Sequence, residues 1–206
     1  MFDVDGVLIN SFEANLKFNQ DLMVRTGYPP PTKEQYQAMF HMTHMDVIRN
    51  ITHSKDEQEI KRLWLMSRNE MKYPEDLITI PKNCRKTIMH LSKEYKLGIV
   101  TNRVTSVFSL KQMASLEKYF QTAVGFNDTD KHKPDAEPLL LACHQLRVSP
   151  DATVYIGDTN TDIIAAKAAG MKVIAFTKNK LEGADGITDS FDDIPKLIKN
   201  IGNTLE

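Results

Sequence analysis

At 206 residues, with 41% hydrophobic and 26% charged side chains, the chain is long enough for one full domain or a core domain carrying an insert. Lys and Arg total 26 against 27 Asp and Glu, a net charge of −1 that argues against a dominant phosphate-backbone binder and still permits a local basic pocket. Two cysteines cannot make a disulfide framework, so Cys84 and Cys143 are expected as reduced, buried or half-buried thiols, and no apolar run approaches the roughly 20 residues that cross a bilayer. These bounds predict a soluble, cytoplasmic, globular protein with no nucleic-acid or membrane partner.

In chain order, residues 1–5 have the tail of a strand. Three helical patterns follow, at about 12–26, 33–51 and 56–71, with Ile60, Leu63, Trp64 and Met71 forming an apolar stripe in the last. Gly27-Tyr28-Pro29-Pro30-Pro31 punctuates the first two, and Tyr73-Pro74 with Ile80-Pro81 brackets the exit. From there on, short runs rich in β-branched residues at 97–101, 123–126, 153–157 and 172–176 read as buried strands. Helical patterns lie around them at about 82–95, 104–118, 136–147 and 161–169, the last capped by Gly170. The alternation predicts an α/β fold: a Rossmann-like parallel sheet core with helices on both faces, from residues 1–12 and 80–206. A small all-helical domain, 13–79, is inserted after the first strand.

That first strand is short, with only Met1 and Phe2 before Asp3. A strand lying mid-sheet would leave its neighbours' buried N–H and C=O groups unpaired, at about 1–3 kcal/mol each. The expectation is a natural start about four to seven residues upstream, with an apolar run that completes the strand.

Four short motifs fall at predicted strand ends, where open α/β sheets bind ligands. They are Asp3-Val4-Asp5-Gly6-Val7, Thr101-Asn102-Arg103, Lys133-Pro134, and Gly157-Asp158 with Asp162. Each is weak alone: Thr-Asn caps helices, a lone Lys is a surface charge, and Asp158 and Asp162 complement a helix dipole. Together they suit phosphoryl transfer through a covalent aspartyl phosphate. A carboxylate that attacks a phosphate dianion needs a divalent cation and a fixed ammonium to offset like-charge repulsion. Oxygen-only ligands favour Mg²⁺. A hydroxyl and backbone N–H groups hold the remaining phosphoryl oxygens, and one more carboxyl moves the proton.

In this order and spacing the motifs resemble motifs I to IV of the haloacid dehalogenase (HAD) superfamily, over the whole chain. The run from Asp162 to Gly170, and Lys133-Pro134-Asp135-Ala136-Glu137-Pro138-Leu139-Leu140, are similar to the phosphoglycolate phosphatase and pyrophosphatase branch; the helical insert resembles its type 1 cap. The resemblance implies that Asp3 is the nucleophile and a metal ligand. It makes Asp5 the general acid/base, with its backbone carbonyl a second ligand, and Asp158 the third. Thr101 and the Asn102 backbone would bind the phosphoryl group, Lys133 would steady the nucleophile, and Asp162 would stand behind it, bonded to Lys133.

The expected activity is a Mg²⁺-dependent phosphatase for a small phosphorylated metabolite, phosphoglycolate first, in a monomer or weak homodimer. A cap that closes over the core, with hinges near 10–12 and 79–82, would exclude water. Arg103 stands where the branch often has lysine, and either clamps an anionic leaving group or faces solvent. His41 and His44 are candidate substrate contacts in the cap, or structural histidines. The competing readings are a β-phosphoglucomutase-like phosphomutase, a receiver domain, and a catalytically impaired binding protein. The first lacks its small-residue motif II here, and a receiver has neither the Asp-x-Asp nor the helical insert.

Overall fold

The computed structural model describes residues 1–40, 42–103 and 107–202, and none of its helices is long and apolar enough to cross a membrane. The chain divides into two units, one of Met1–Asn10 with Thr79–Glu206 and the other of Ser11–Ile78.

The second unit is all helix: α1 (Phe12–Thr26), α2 (Lys33–Met39), α3 (His44–Thr52) and α4 (Glu57–Glu70). Leu16, Leu22, Met23, Val47, Ile48, Ile60 and Leu63 make its core. At helical spacing these residues fall on inward faces, and a fully buried leucine or isoleucine contributes about 1.5–3 kcal/mol. The single helix expected over 33–51 is two. Thr43 takes an extended backbone and accepts from the Asp46 N–H at 3.2 Å, so it caps a new helix where the apolar pattern runs on.

In the other unit, Phe2 sits mid-sheet between two strand sets. It exchanges backbone hydrogen bonds with Gly98 and Val100 on one side, and its neighbours Met1 and Asp3 exchange them with Ile156 on the other, all at 2.9–3.0 Å. One set pairs β1 (Gly98–Val100) with β2 (Thr122–Val124), and the other runs β3 (Val154–Gly157), β4 (Lys172–Phe176), β5 (Gly186–Thr188). All pairs are parallel, with Gly98 opposite Thr122, Val154 opposite Lys172 and Ile174 opposite Gly186. Parallel neighbours need crossovers. Before β1 comes α5 (Cys84–Leu91); α6 (Glu137–Leu146) links β2 to β3, and α7 (Asn160–Ala168) links β3 to β4. The last helix is α8 (Ile194–Gly202).

Both sheet faces are covered, as the continuous apolar strands require. Val100, Val124, Tyr155, Val173 and Ala175 pack with Leu139, Ala142, Ile163 and Ala166 of α6 and α7. The alternate residues Ile99, Ile156 and Ile174 are equally buried, as are Ile88, Leu91 and Ile194 on α5 and α8. Cys84 and Cys143 are free and buried, and burial pushes the Cys84 thiol up to about 12.

The helix expected over 104–118 is not formed in its described part. Val107–Ser109 is one 3₁₀ turn, and tight turns follow, with Met113 N–H on the Leu110 carbonyl and Leu116 N–H on the Met113 carbonyl at 2.8 Å. Leu110, Met113 and Leu116 are buried at a spacing of three, the period of a 3₁₀ turn rather than of an α-helix. Among the described residues β5 and α8 are additions to the expected elements. Three residues, with only Thr188 buried, leave β5 no alternation to read.

Candidate active site

The polypeptide reverses direction directly after Asp3. Ile9 N–H bonds to the Val4 carbonyl at 3.0 Å and Gly6 N–H to the Ile9 carbonyl at 2.9 Å, closing a loop with Val4, Val7, Leu8 and Ile9 fully buried. Gly6 has φ of +79°, and a Cβ there would overlap the Asp158 carboxylate. Gly157 has a parallel reason: its Cβ would overlap Asp162. The Asp-Gly and Gly-Asp pairs are thus steric conditions for bringing carboxylates together.

Lys133 ties the loops. Its Nζ lies 3.0 Å from Asp3 Oδ1 and 2.6 Å from Asp162 Oδ1, and donates to the Tyr155 hydroxyl at 2.9 Å. The hydroxyl in turn donates to the Val100 carbonyl at 2.9 Å. Asp162 Oδ2 accepts from the Thr159 Oγ1 at 2.7 Å and the Thr159 N–H at 3.1 Å, a capping box that starts α7. One residue therefore caps a helix with one oxygen and holds the lysine with the other. The backbone of Lys133 is held too: its carbonyl accepts from Asn102 Nδ2 at 2.9 Å, and its N–H donates to Asn102 Oδ1 at 3.1 Å. Thr101, buried at the end of β1, accepts from the Arg103 N–H at 3.2 Å.

Asp3, Asp158 and Asp162 each place a carboxylate oxygen within 4.8 Å of the others. Burial pushes Asp3 up to about 7; Lys133 opposes this and the Asp162 and Asp5 charges add to it. Burial, then the Asp3 and Asp162 charges, push Asp158 up to about 8. Against its own burial, Lys133 and the Thr159 hydrogen bonds hold Asp162 below the usual carboxylate range. Lys133 is held above its ordinary value, because Asp3 and Asp162 outweigh its desolvation. Three carboxylates facing one ammonium leave excess negative charge in a buried place. Asp3 Oδ1 makes no aligned hydrogen bond among the described residues, despite its approach to Lys133. An oxygen-only donor set with uncompensated charge fits a hard divalent cation.

Asp5 lies apart from this cluster, about a third exposed. Arg103 Nη1 reaches both its oxygens, at 2.8 and 3.1 Å, with the arginine side chain only 12% exposed. Neither role expected for Arg103, a solvent-facing charge or a clamp on a leaving group, includes this partner. His44 starts α3 against the Phe18 ring, 5.8 Å between centroids; burial pushes it down to about 4, and its Nε2 has no partner among the described residues. His41 lies outside the described residues. The structure thus gathers Asp3, Thr101, Asn102, Lys133, Asp158 and Asp162, with Asp5 and Arg103 paired beside them. Sequence reasoning missed Tyr155 and Thr159. The signal for Tyr155 was a phenol in a buried Val-Tyr-Ile run, where its hydroxyl must find a partner. For Thr159 it was the pattern Thr159-x-x-Asp162.

Comparison with known proteins agrees with this geometry. The family model for haloacid dehalogenase-like hydrolases matches residues 1–176. A protein of Clostridium perfringens carrying the pyrophosphatase name PpaX is 31% identical over 194 residues, 88% of this chain and 86% of that one. A phosphoglycolate phosphatase of Salmonella paratyphi A is 38% identical over 106 residues, 48% of this chain and 42% of its own. The crystal structure of a HAD-superfamily hydrolase, subfamily IA, from Geobacter sulfurreducens superposes with a TM-score of 0.77 at 26% identity, covering 96% of this chain and 94% of that one. The chain belongs to the haloacid dehalogenase-like hydrolases.

Proposed function

We propose that this hydrolase is a Mg²⁺-dependent phosphatase for a small phosphorylated metabolite, working through an aspartyl phosphate on Asp3. The observation that carries the reading is the buried excess of carboxylates, Asp3, Asp158 and Asp162, around the single ammonium of Lys133. Asp162 is committed to Lys133 and Thr159, which leaves Asp3 and Asp158 to hold Mg²⁺, and the family resemblance adds the Asp5 backbone carbonyl. When bound, the ion supplies positive charge against the attacking carboxylate and the phosphoryl oxygens.

An oxygen of Asp3 attacks phosphorus, and the bond to the leaving oxygen breaks. Thr101 Oγ1, the Asn102 N–H and Lys133 Nζ hold the transferring group. Asp5 gives a proton to the departing oxygen. It then takes one from the water that attacks phosphorus, releasing phosphate and restoring Asp3. The relatives named pyrophosphatase and phosphoglycolate phosphatase support phosphoglycolate as the first substrate to assay. The helical unit, Ser11–Ile78, is the cap in this reading.

The test is phosphate release with Mg²⁺ and after chelation, for the parent and Asp5→Asn. Release should need Mg²⁺, and Asp5→Asn should slow an alkyl phosphate with an anionic leaving group, such as phosphoglycolate, far more than p-nitrophenyl phosphate in the phosphorylation step. Equal slowing of that step for both esters would remove Asp5 from the acid role.

A further inference from the structure

Asp5 and Arg103 stand 98 positions apart in the chain, yet one guanidinium nitrogen meets both carboxylate oxygens. Arg103 follows directly on Thr101 and Asn102, and its N–H is anchored on Thr101 Oγ1, so the head group sits where the motif II loop leaves β1. At 12% exposure it is a partly desolvated cation beside the acid/base carboxyl rather than a solvated surface charge. A carboxylate whose two oxygens both accept from one guanidinium nitrogen has two of its lone-pair directions committed and its orientation fixed on the arginine, turned away from a departing oxygen. The pair therefore opposes the proton-transfer role of Asp5 for as long as it lasts. A guanidinium leaves a carboxylate readily only for another anion of comparable strength, such as a carboxylate or a phosphate.

We infer that Arg103 is a positioning and specificity residue: it holds Asp5 until an anionic group on the leaving side of the substrate takes over the guanidinium, which frees Asp5 for the departing oxygen. The substrate class that satisfies this exchange is a phosphate ester or anhydride whose leaving group carries its own negative charge. A phosphorylated hydroxy acid and pyrophosphate both qualify. A neutral alcohol's phosphate lacks the second anion and leaves Asp5 paired, so it is turned over poorly even where it binds. This inference rests on the phosphatase reading for its kinetic form, while its anion-recognition part stands on the ion pair alone.

The test compares 2-phosphoglycolate with 2-hydroxyethyl phosphate, which replaces the carboxylate by a neutral hydroxymethyl group. In the parent, kcat/KM should favour the anionic substrate. In Arg103→Met that preference should shrink by roughly tenfold or more, as the loss of a charge-assisted contact implies, and Arg103→Lys should restore part of it. A purely structural role would move both substrates alike, so a ratio unchanged within about twofold overturns the inference. Binding of the two esters to Asp3→Asn, with and without Arg103→Met, is measured by calorimetry in parallel. Arg103-dependent preference for phosphoglycolate there, in a protein whose parent with Mg²⁺ releases phosphate from neither ester nor from p-nitrophenyl phosphate or pyrophosphate, supports anion recognition and sinks the phosphatase reading. Turnover with no Arg103-dependent charge preference in rate or binding keeps the phosphatase reading and sinks this one.

Discussion

Asp3 and Asp5 are two residues apart, share one loop, and live in opposite electrostatic settings. Asp3 is buried, close to Lys133 and crowded by the carboxylates of Asp158 and Asp162, and is pushed up to about 7. Asp5 is about a third exposed and is ion-paired with Arg103. On the proposed roles, a single turn separates two jobs that need unlike environments. A nucleophile benefits from a dry, preorganised pocket, whereas an acid/base group must exchange protons and partners. The energetics differ as well. Breaking a buried pair strands a charge without solvent, while a partly exposed pair has water as its alternative.

The strongest break in that contrast is Asp3→Asn. The amide keeps the shape but loses the proposed nucleophile, so turnover should fall by at least about a thousandfold. Because the substitution removes one of the crowded carboxylates, the metal-free variant should melt no lower than the parent at pH 8, read by circular dichroism; a variant that retains a tenth of the parent rate would refute the mechanism.

Next comes Lys133→Met. It leaves Asp3, Asp158 and Asp162 facing one another without a counter-charge, and should cost about 3–5 kcal/mol in urea unfolding. A loss under about 1 kcal/mol would mean that the carboxylates do not depend on this ammonium.

A pH series sharpens the comparison without mutation. Asp3 and Asp158 titrate near 7 and near 8 in the folded protein, against 3.8 for an ordinary Asp. Between those values the folded state binds more protons than the unfolded one, so metal-free stability should fall as pH rises from about 4 to about 8. Asp162, shifted the other way, adds a loss only at the acidic end, below the ordinary 3.8. Mg²⁺ should recover the lost stability and raise the melting temperature more at pH 8 than at pH 6. A Mg²⁺ effect that is equal at both would show that the ion does not compete with protons at these carboxylates.

The smallest effect belongs to the exposed side. Arg103→Met should change unfolding free energy by about 1 kcal/mol or less, because Asp5 can turn to water. A loss comparable to that of Lys133→Met would place Arg103 in the structural core instead.

Part of this was legible before any coordinates. The motifs and their order were legible from short β-branched runs followed by turn residues such as Gly6 and Gly157, whereas Lys133-Pro134 lies in the loop between β2 and α6 and not at a strand end. The α1 and α4 patterns were legible because their apolar residues repeat at helical spacing over 14 or 15 residues. The segment at 104–118 was misread because a repeat of three, Leu110, Met113 and Leu116, satisfies a helical pattern over a short stretch. The break at Thr43 was missed because apolar periodicity continues across a cap that only the backbone conformation reveals. Tyr155 was legible as core but not as a hydrogen-bonding post for Lys133, since its partners come from 22 and 55 residues away.

By itself the sequence pointed to the candidate residues and to most of the segments that present them. Residue type, alternation and the glycine turns are local properties that a chain carries wherever it folds. Only the tertiary structure decided who faces whom: that Lys133 bridges Asp3 and Asp162, that Gly6 makes room for the Asp158 carboxylate, and that Arg103 turns onto Asp5. The reason is physical. Burial and electrostatic pairing depend on distances of a few ångströms between residues tens of positions apart, and those distances are set by how the parallel strands align, not by any spacing along the chain.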